Sequence, residues 1–308
     1  MFRSEDDLWQ QLTKNWPVTP GKVLTGAGDD CAVLQGCGCG GEDGPESVTS
    51  SRFLLFKTDI VVEDVHFTAK ASPRLVGRKA LNRAVSDIAA MGGRPGAALV
   101  TLGLPPETSI SRLRALYQGL NDAAKTSGVA LAGGETTRSP RLFLNVALLG
   151  ETRGHSPVLR STAQPGDLIW VTGRLGATQK KKHLTFTPRL AEGEFLASHG
   201  FATSMMDISD GLGKDLPRLA RASHLGCHIQ MSKVPRARGA SLHSAMSDGE
   251  DFELLFTSHP DRQDELRRLW HFPCLLTCIG TMSLKRTGNR PWRPPEDWID
   301  GYDHLRQP

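Results

Sequence analysis

The sequence predicts a two-domain α/β (α+β) protein, and three observations carry that expectation. Apolar strand-like runs alternate with helix-periodic runs along the chain. Its 308 residues are enough for two domains of ordinary size. Gly150, Gly154, Pro157, Pro165 and Gly166 cluster between the halves, which predicts domains at 1–150 and 151–308.

Taken in order, residues 4–16 read as a short amphipathic helix with Leu8, Trp9 and Leu12 on one face. Ser4 caps it, and Pro17 and Pro20 end it. Gly26 to Leu34 is a glycine-loosened turn that delivers Asp29 and Asp30 into an apolar strand. Strand neighbours point to opposite faces, so one acid works and the other supports it. The Gly-, Ser-, Glu- and Pro-rich stretch 36–51 reads as an exposed hairpin loop without chemistry. Phe53 to Val62 is a strand whose continuous apolar character implies burial on both sides. It carries Thr58 and Asp59, and a buried acid without a partner is costly enough to call for a cation. His66 is expected to point into the same cleft.

Residues 74–91 give the clearest helix, stopped by Gly92-Gly93, with Ser86-Asp87 beside its apolar stripe. A strand at 97–104, a helix at about 109–127 carrying Tyr117, a strand entering Gly133-Gly134-Glu135-Thr136-Thr137, and a strand at 142–149 complete the first half. The second half opens with a strand and glycine turn over Asp167 to Gly173 and continues through a polar stretch at 174–190. Helices at 190–199 and 212–224 bracket Asp207-Ile208-Ser209-Asp210-Gly211. Alone, that motif reads as a helix cap, since Ser and Asp favour the position. Ser247 to Phe256 brings further acids and a glycine into a strand, and Trp292 to Tyr302 reads as a tail laid over a surface or a site.

Composition narrows the function. Hydrophobic residues at 39% and charged residues at 23% describe a soluble globular chain. A net charge of +4 is too small for a nucleic-acid stripe or a polybasic membrane anchor, and Lys180-Lys181-Lys182 reads as a solvated loop. No apolar run approaches the roughly 20 residues that span a bilayer, and Ser4-Glu5-Asp6-Asp7 is the opposite of a signal peptide. A cytoplasmic protein with neither membrane nor nucleic-acid partners is expected. Cys31, Cys37, Cys39, Cys227, Cys274 and Cys278 show no C-x-x-C spacing, so they read as reduced structural thiols and not as a zinc set.

Five segments each set an acid near small or hydroxyl residues beside an apolar element: 26–30, 57–59, 86–87, 133–137 and 207–210. If they converge, they form a cage for several divalent ions. Oxygen donors with few histidines select Mg²⁺ or Mn²⁺ over zinc. Magnesium usually binds through carboxylates together with substrate phosphates, which implies a nucleotide or polyphosphate ligand. Neither a P-loop nor a kinase-type His-Arg-Asp motif is present, so the metal must hold the phosphates.

Gly28-Asp29-Asp30, Thr58-Asp59 with His66, Ala80-Leu81 with Ser86 to Gly92, Gly133 to Thr137, Asp207 to Gly211 and Gly249-Glu250-Asp251-Phe252-Glu253-Leu254 resemble thiamine-monophosphate kinase in order and spacing, over nearly the whole chain. The resemblance implies an aminoimidazole-ribonucleotide-synthetase-like fold. Its N-terminal α/β domain binds ATP and Mg²⁺ and forms a homodimer through a β-barrel, and its C-terminal α+β domain completes the active site. The implied reaction moves the γ-phosphoryl of ATP directly to thiamine monophosphate, with several Mg²⁺ ions and no covalent nucleophile. Asp30, Thr58, Asp59, Asp87, Glu135, Asp207, Asp210 and the backbone of Lys57 match metal ligands. Tyr117, Gly134, Glu135, Arg160 and Ser209 match ATP contacts, and His66, Glu250 and Trp298 match contacts to the thiamine phosphate.

The chain departs from the family pattern in three places. Glu135 stands where the family has Asp, Lys57 replaces a small hydroxyl residue, and the segment 177–188 is shortened. Two rival readings stay open at this level. One is a selenophosphate or aminoimidazole ribonucleotide synthetase, whose N-terminal catalytic Cys or Lys would have only Cys37 and Cys39 as candidates. The other is a non-catalytic nucleotide-binding homologue.

Overall fold

The structure, a computed structural model, describes residues 5–14, 22–36, 52–284 and 298–302. Ser4, Pro17, Pro20, Cys37, Cys39, nearly all of the loop at 36–51 and residues 292–297 of the closing segment lie outside the described residues.

The first half builds a single sheet. Helix α1 (Glu5–Thr13) precedes β1 (Val23–Thr25), β2 (Ala32–Gln35) and β3 (Arg52–Val62). Then follow α2 (Pro73–Ala90), β4 (Arg94–Leu104), α3 (Ile110–Ser127), β5 (Ala130–Arg138) and β6 (Phe143–Arg153). The strands pair in the order β1-β2-β3-β6-β4-β5. Only β4 and β5 run parallel, because α3 returns the chain between them.

Helices α2 and α3 cover one face of this sheet over a core that includes Leu55, Val85, Ile88 and Val146. Pro73 presets the first turn of α2, and Gly92 closes it with a φ of 71°. The two helices lie close because neither contact position carries a side chain. A Cβ on Gly77 would sit 2.0 Å from the Leu116 carbonyl oxygen, and one on Gly119 would sit 1.8 Å from that of Arg74.

Strand β3 corrects one expectation. It is not buried on both sides: Leu55 and Val61 are buried, whereas Phe56 is 45% and Ile60 39% exposed. The reason is that helices cover only one face, so a strand that reads as continuously apolar turns half its side chains to the open face. Leu99 of β4 and Leu149 of β6 are exposed on their strands as well.

The second half builds an antiparallel sheet in the order β8-β10-β7-β11-β9. Its elements are β7 (Leu168–Thr172), α4 (Lys182–Thr185), α5 (Leu190–Ser198), β8 (Ser204–Asp207), α6 (Leu212–Ala222) and β9 (Gly226–Ile229). They continue with α7 (Leu242–Ser247), β10 (Leu254–Ser258), α8 (Gln263–Leu269) and β11 (Leu276–Ser283). Here both faces are covered. Ile169 and Val171 pack with Leu212, Leu216 and Leu219 of α6, while Trp170 packs with Leu196 of α5 and Leu266 of α8.

Helix α2 also reaches the second half. Ala90 joins the cluster around Trp170, and a Cβ on Gly193 of α5 would lie 2.1 Å from the Ala89 carbonyl oxygen. That contact sets the C-terminal part of α2, including Asp87, beside the end of β8, where Asp207 sits. No described helix is long and apolar enough to cross a membrane.

Candidate active site

Three carboxylates from distant parts of the chain converge. Asp30 enters from the turn before β2, Asp87 from α2 and Asp207 from the end of β8, and each offers one oxygen within 4.8 Å of the others. All three are buried. They face a cleft of about 890 Å³ that Ser209, Arg160, Lys57 and Asp59 also line.

Each acid is held in place. Arg160 grips Asp30 with two hydrogen bonds, Nη2 to Oδ1 at 2.6 Å and Nε to Oδ2 at 3.0 Å. The Asp29 carboxylate accepts the Asp30 and Arg160 backbone N–H groups at 2.9 and 3.1 Å, which is the supporting role expected of the second acid. Ser86 Oγ donates to Asp207 Oδ2 at 2.6 Å. Lys57 Nζ stands 3.1 Å from Asp87 Oδ2.

Burial and crowding shape the protonation of these groups. Burial, with Asp30 close by, pushes Asp207 up to about 6. Burial also drives Asp87 well above the usual carboxylate range, against the pull of Lys57 and with the push of Asp207. Lys57 is raised: burial alone would lower it, but Asp87 and Asp59 outweigh that and keep the ammonium charged. Crowded oxygen donors that resist ionising together fit a hard divalent cation, whose charge removes their mutual repulsion.

Thr58, Asp59 and Asp210 line the same cleft with partners of their own, and the remaining expected residues lie outside it. Thr58 follows the strand alternation onto the open face, where its hydroxyl bonds Asn145 Oδ1 at 3.0 Å. Asp59 lines the cleft with Arg83 as its partner at 3.1 Å, and Arg83 and Lys57 hold its carboxyl down against the effect of burial. Asp210 pairs with Lys214 at 3.0 Å and Arg218 at 3.1 Å. Gly134 and Glu135 sit on the exposed edge strand β5, and Tyr117 lies on α3 at 38% exposure. None of the three lines the cleft within one chain.

His66 also falls outside the cleft lining, and its Nδ1 accepts the Val62 N–H at 3.1 Å. Its carbonyl receives Lys79 Nζ at 2.6 Å, and Lys79 in turn meets Glu250 at 2.6 Å. Glu250 further meets Arg83 at 3.2 Å and His183 at 3.2 Å. Burial would raise its carboxyl, but the His183 hydrogen bond and the two cations bring it down to about 2. Trp298 bonds the Gly213 carbonyl at 2.7 Å, and Tyr302 N–H bonds the Asp210 carbonyl at 2.8 Å. The described end of the chain thus straps the Asp210 loop.

The cap reading of Asp207 to Gly211 needs correction. The residue before α6 is Gly211, with φ 97° and no side-chain cap. Instead Asp215 in the first turn reaches back, its Oδ2 accepting the Ser209 and Asp210 N–H groups at 3.0 and 2.9 Å. A Cβ on Gly211 would lie 2.6 Å from the Met246 carbonyl oxygen, so only glycine fits there. The solvated-loop reading of the lysine cluster holds for Lys180 and Lys181 alone. Lys182 is engaged with Asp251 at 2.8 Å and the Arg174 carbonyl at 2.6 Å.

Sequence reasoning missed the cations around the acids, although a signal was present. Lys79, Arg83 and Asp87 recur every four residues, which stacks them along one side of α2. Lys57 lies two residues before Asp59 on the same strand and therefore on the same face. Asp6, Trp9 and Thr13 of α1 also line the cleft, and nothing in their sequence signals it.

Residues 28–152 match the family model for AIR synthase related protein, N-terminal domain. The chain is 36% identical over 283 residues to the thiamine-monophosphate kinase of Rhodopirellula baltica, covering 87% of this chain and 85% of that protein. It is 32% identical over 321 residues to the Escherichia coli K12 thiamine-monophosphate kinase, covering 93% of each. Among solved structures, AaThiL complexed with AMPPCP and TMP superposes with a TM-score of 0.77 at 29% identity, covering 92% of this chain and 91% of that one. With the carboxylate site in place and relatives matched along almost its whole length, the chain belongs to the thiamine-monophosphate kinase family.

Proposed function

We propose that this protein phosphorylates thiamine monophosphate to thiamine diphosphate with ATP as donor, by direct in-line transfer. The observation that carries the reading is the convergence of Asp30, Asp87 and Asp207 on one cleft. The choice of substrates follows the relatives, one of which was solved with AMPPCP and TMP.

Asp30, Asp87 and Asp207 would hold Mg²⁺, with Asp59 and the Lys57 carbonyl as further donors along β3. Bound there, Mg²⁺ supplies charge neutralisation for the transferring phosphoryl group. The chain itself positions. Arg160 fixes Asp30 and offers guanidinium charge at the cleft, and Ser209 presents a hydroxyl to the nucleotide from a loop that Asp215 clamps. Glu250, ionised and surrounded by Lys79, Arg83 and His183, would face the cationic thiazolium, with His66 behind Lys79. Phosphoryl transfer to a phosphate oxygen needs no covalent nucleophile and gains mainly from orientation.

The reading includes a homodimer. Phe56, Ile60, Leu99 and Leu149 leave an apolar open sheet face that a second copy would bury as a closed barrel. The second copy would also bring Tyr117, Gly134 and Glu135 toward the nucleotide, since they do not line the cleft within one chain. A cytoplasmic setting is part of the proposal, supported by the unbridged thiols of Cys31, Cys227, Cys274 and Cys278. Thiamine diphosphate and ADP formation from ATP, measured with and without thiamine monophosphate, tests the reading. ATP turnover that ignores the acceptor, or no turnover, refutes it.

A further inference from the structure

The ammonium of Lys57 stands among the carboxylates of the site, its side chain 25% exposed at the cleft. Its Nζ lies 3.1 Å from Asp87 Oδ2, whose side chain is only 9% exposed. Strand alternation puts Lys57 and Asp59 on the same face of β3, and both line the cleft with Asp30, Asp87 and Asp207.

The local charge balance gives this contact its meaning. Five carboxylates line this part of the cleft: Asp29, Asp30, Asp59, Asp87 and Asp207. Three have a side-chain cation at contact distance: Arg160 on Asp30 at 2.6 Å, Arg83 on Asp59 at 3.1 Å and Lys57 on Asp87 at 3.1 Å. Asp207 is held by the neutral Ser86 hydroxyl at 2.6 Å. The acids without a side-chain cation at contact are therefore Asp207, which shares the 4.8 Å cluster with Asp87, and Asp29, held by backbone N–H groups. An ammonium is a compact point charge with three donors, so it can neutralise Asp87 and still reach a phosphate oxygen.

We infer that the Lys57 ammonium is a built-in cation of the metal cage, which takes the place of one divalent ion beside Asp87 and contacts the bound polyphosphate. This deepens the kinase reading and rests on it. Removing the ammonium should open a further divalent position between Asp87 and Asp59, because the buried Asp87 and the half-buried Asp59 would share the single guanidinium of Arg83.

The test counts ions. Mn²⁺ binding to the full-length protein with AMPPCP, read by electron paramagnetic resonance, should show about one more bound ion in Lys57→Ser than in the wild type. The Mn²⁺-induced rise in Tm should also be larger in the variant, since metal then compensates acids that Lys57 otherwise pairs. Lys57→Gln, one atom shorter, polar and uncharged, should shift both readouts the same way. Equal ion counts in wild type and variants overturn the inference.

A wild-type measurement stands beside the variants. Acylation of Lys57 by an amine-reactive reagent, followed by mass spectrometry, should stay low with and without Mg²⁺. A rise on adding Mg²⁺ means that the metal evicts the lysine, and the inference fails. These readouts concern binding alone, so a wild type that makes no thiamine diphosphate would refute the kinase reading separately.

Discussion

Asp87 faces the largest set of opposing demands in the site. It is buried on α2, it touches Lys57, and it shares a 4.8 Å cluster with Asp30 and Asp207. Replacing it with Asn keeps the volume but removes the charge that a bridging cation needs. Turnover of Asp87→Asn should fall by at least about 10³-fold at ordinary Mg²⁺, as expected when a principal electrostatic element is lost. Steady-state kinetics checks this, and near-normal activity would remove Asp87 from the metal set. Asp251 offers a pH test away from the cluster. Its Oδ1 meets Lys182 at 2.8 Å and the Gly176 N–H at 3.0 Å, whereas its Oδ2 is buried without a hydrogen-bond partner. Burial pushes this carboxyl up to about 6, with Lys182 pulling the other way. The folded state therefore holds the proton more tightly than the unfolded chain, whose Asp titrates near about 4. Its contribution is most favourable below about pH 4 and is lost as the pH rises through about 6. Relative to Asp251→Asn, the wild type should lose about 1–3 kcal/mol of stability between pH 4 and 7, measured by denaturant melts at each pH.

At the scale of elements, the long periodic helices and the apolar strands were legible because packing enforces their periods. Helix α2 runs Pro73–Ala90 where the apolar spacing and Gly92-Gly93 place it, and α3 runs Ile110–Ser127. What the sequence could not show for β3 was which face lacks a cover, since an apolar strand reads the same whether its second face meets a helix or another copy. That distinction matters for assembly. Leu99, 51% exposed on β4, belongs to the open apolar face. Leu99→Asp should weaken self-association by at least about 30-fold, the loss expected of a buried interface anchor, and should raise the ATP requirement if Tyr117 and Glu135 act across the interface. Analytical ultracentrifugation of variant and wild type checks this, and a wild type that sediments as a monomer would contradict the dimer.

At the scale of the whole molecule, the site is a product of chain-distant contacts, and this limited what could be read in advance. Asp30, Asp87 and Asp207 could each be picked out as acids beside an apolar element, and the structure brings them together. Asp210 and Glu135 carried the same local signal but have different surroundings, the first between Lys214 and Arg218, the second on an exposed edge. Motif chemistry cannot tell which carboxylates will share one cluster, because the cation on each, Arg160 on Asp30, Lys57 on Asp87 or Arg218 on Asp210, comes from another part of the chain or from another turn of the helix. The same holds for Lys57, whose residue number marks a backbone position while its side chain enters the cage. The cage is proposed to serve phosphoryl transfer from ATP to thiamine monophosphate. The most direct measurement is the rate of thiamine diphosphate formation as a function of Mg²⁺ concentration, with ATP and thiamine monophosphate fixed. Product formation should depend on the acceptor and rise with more than first-order dependence on Mg²⁺, whereas ATP binding without product at any Mg²⁺ concentration would overturn the kinase reading.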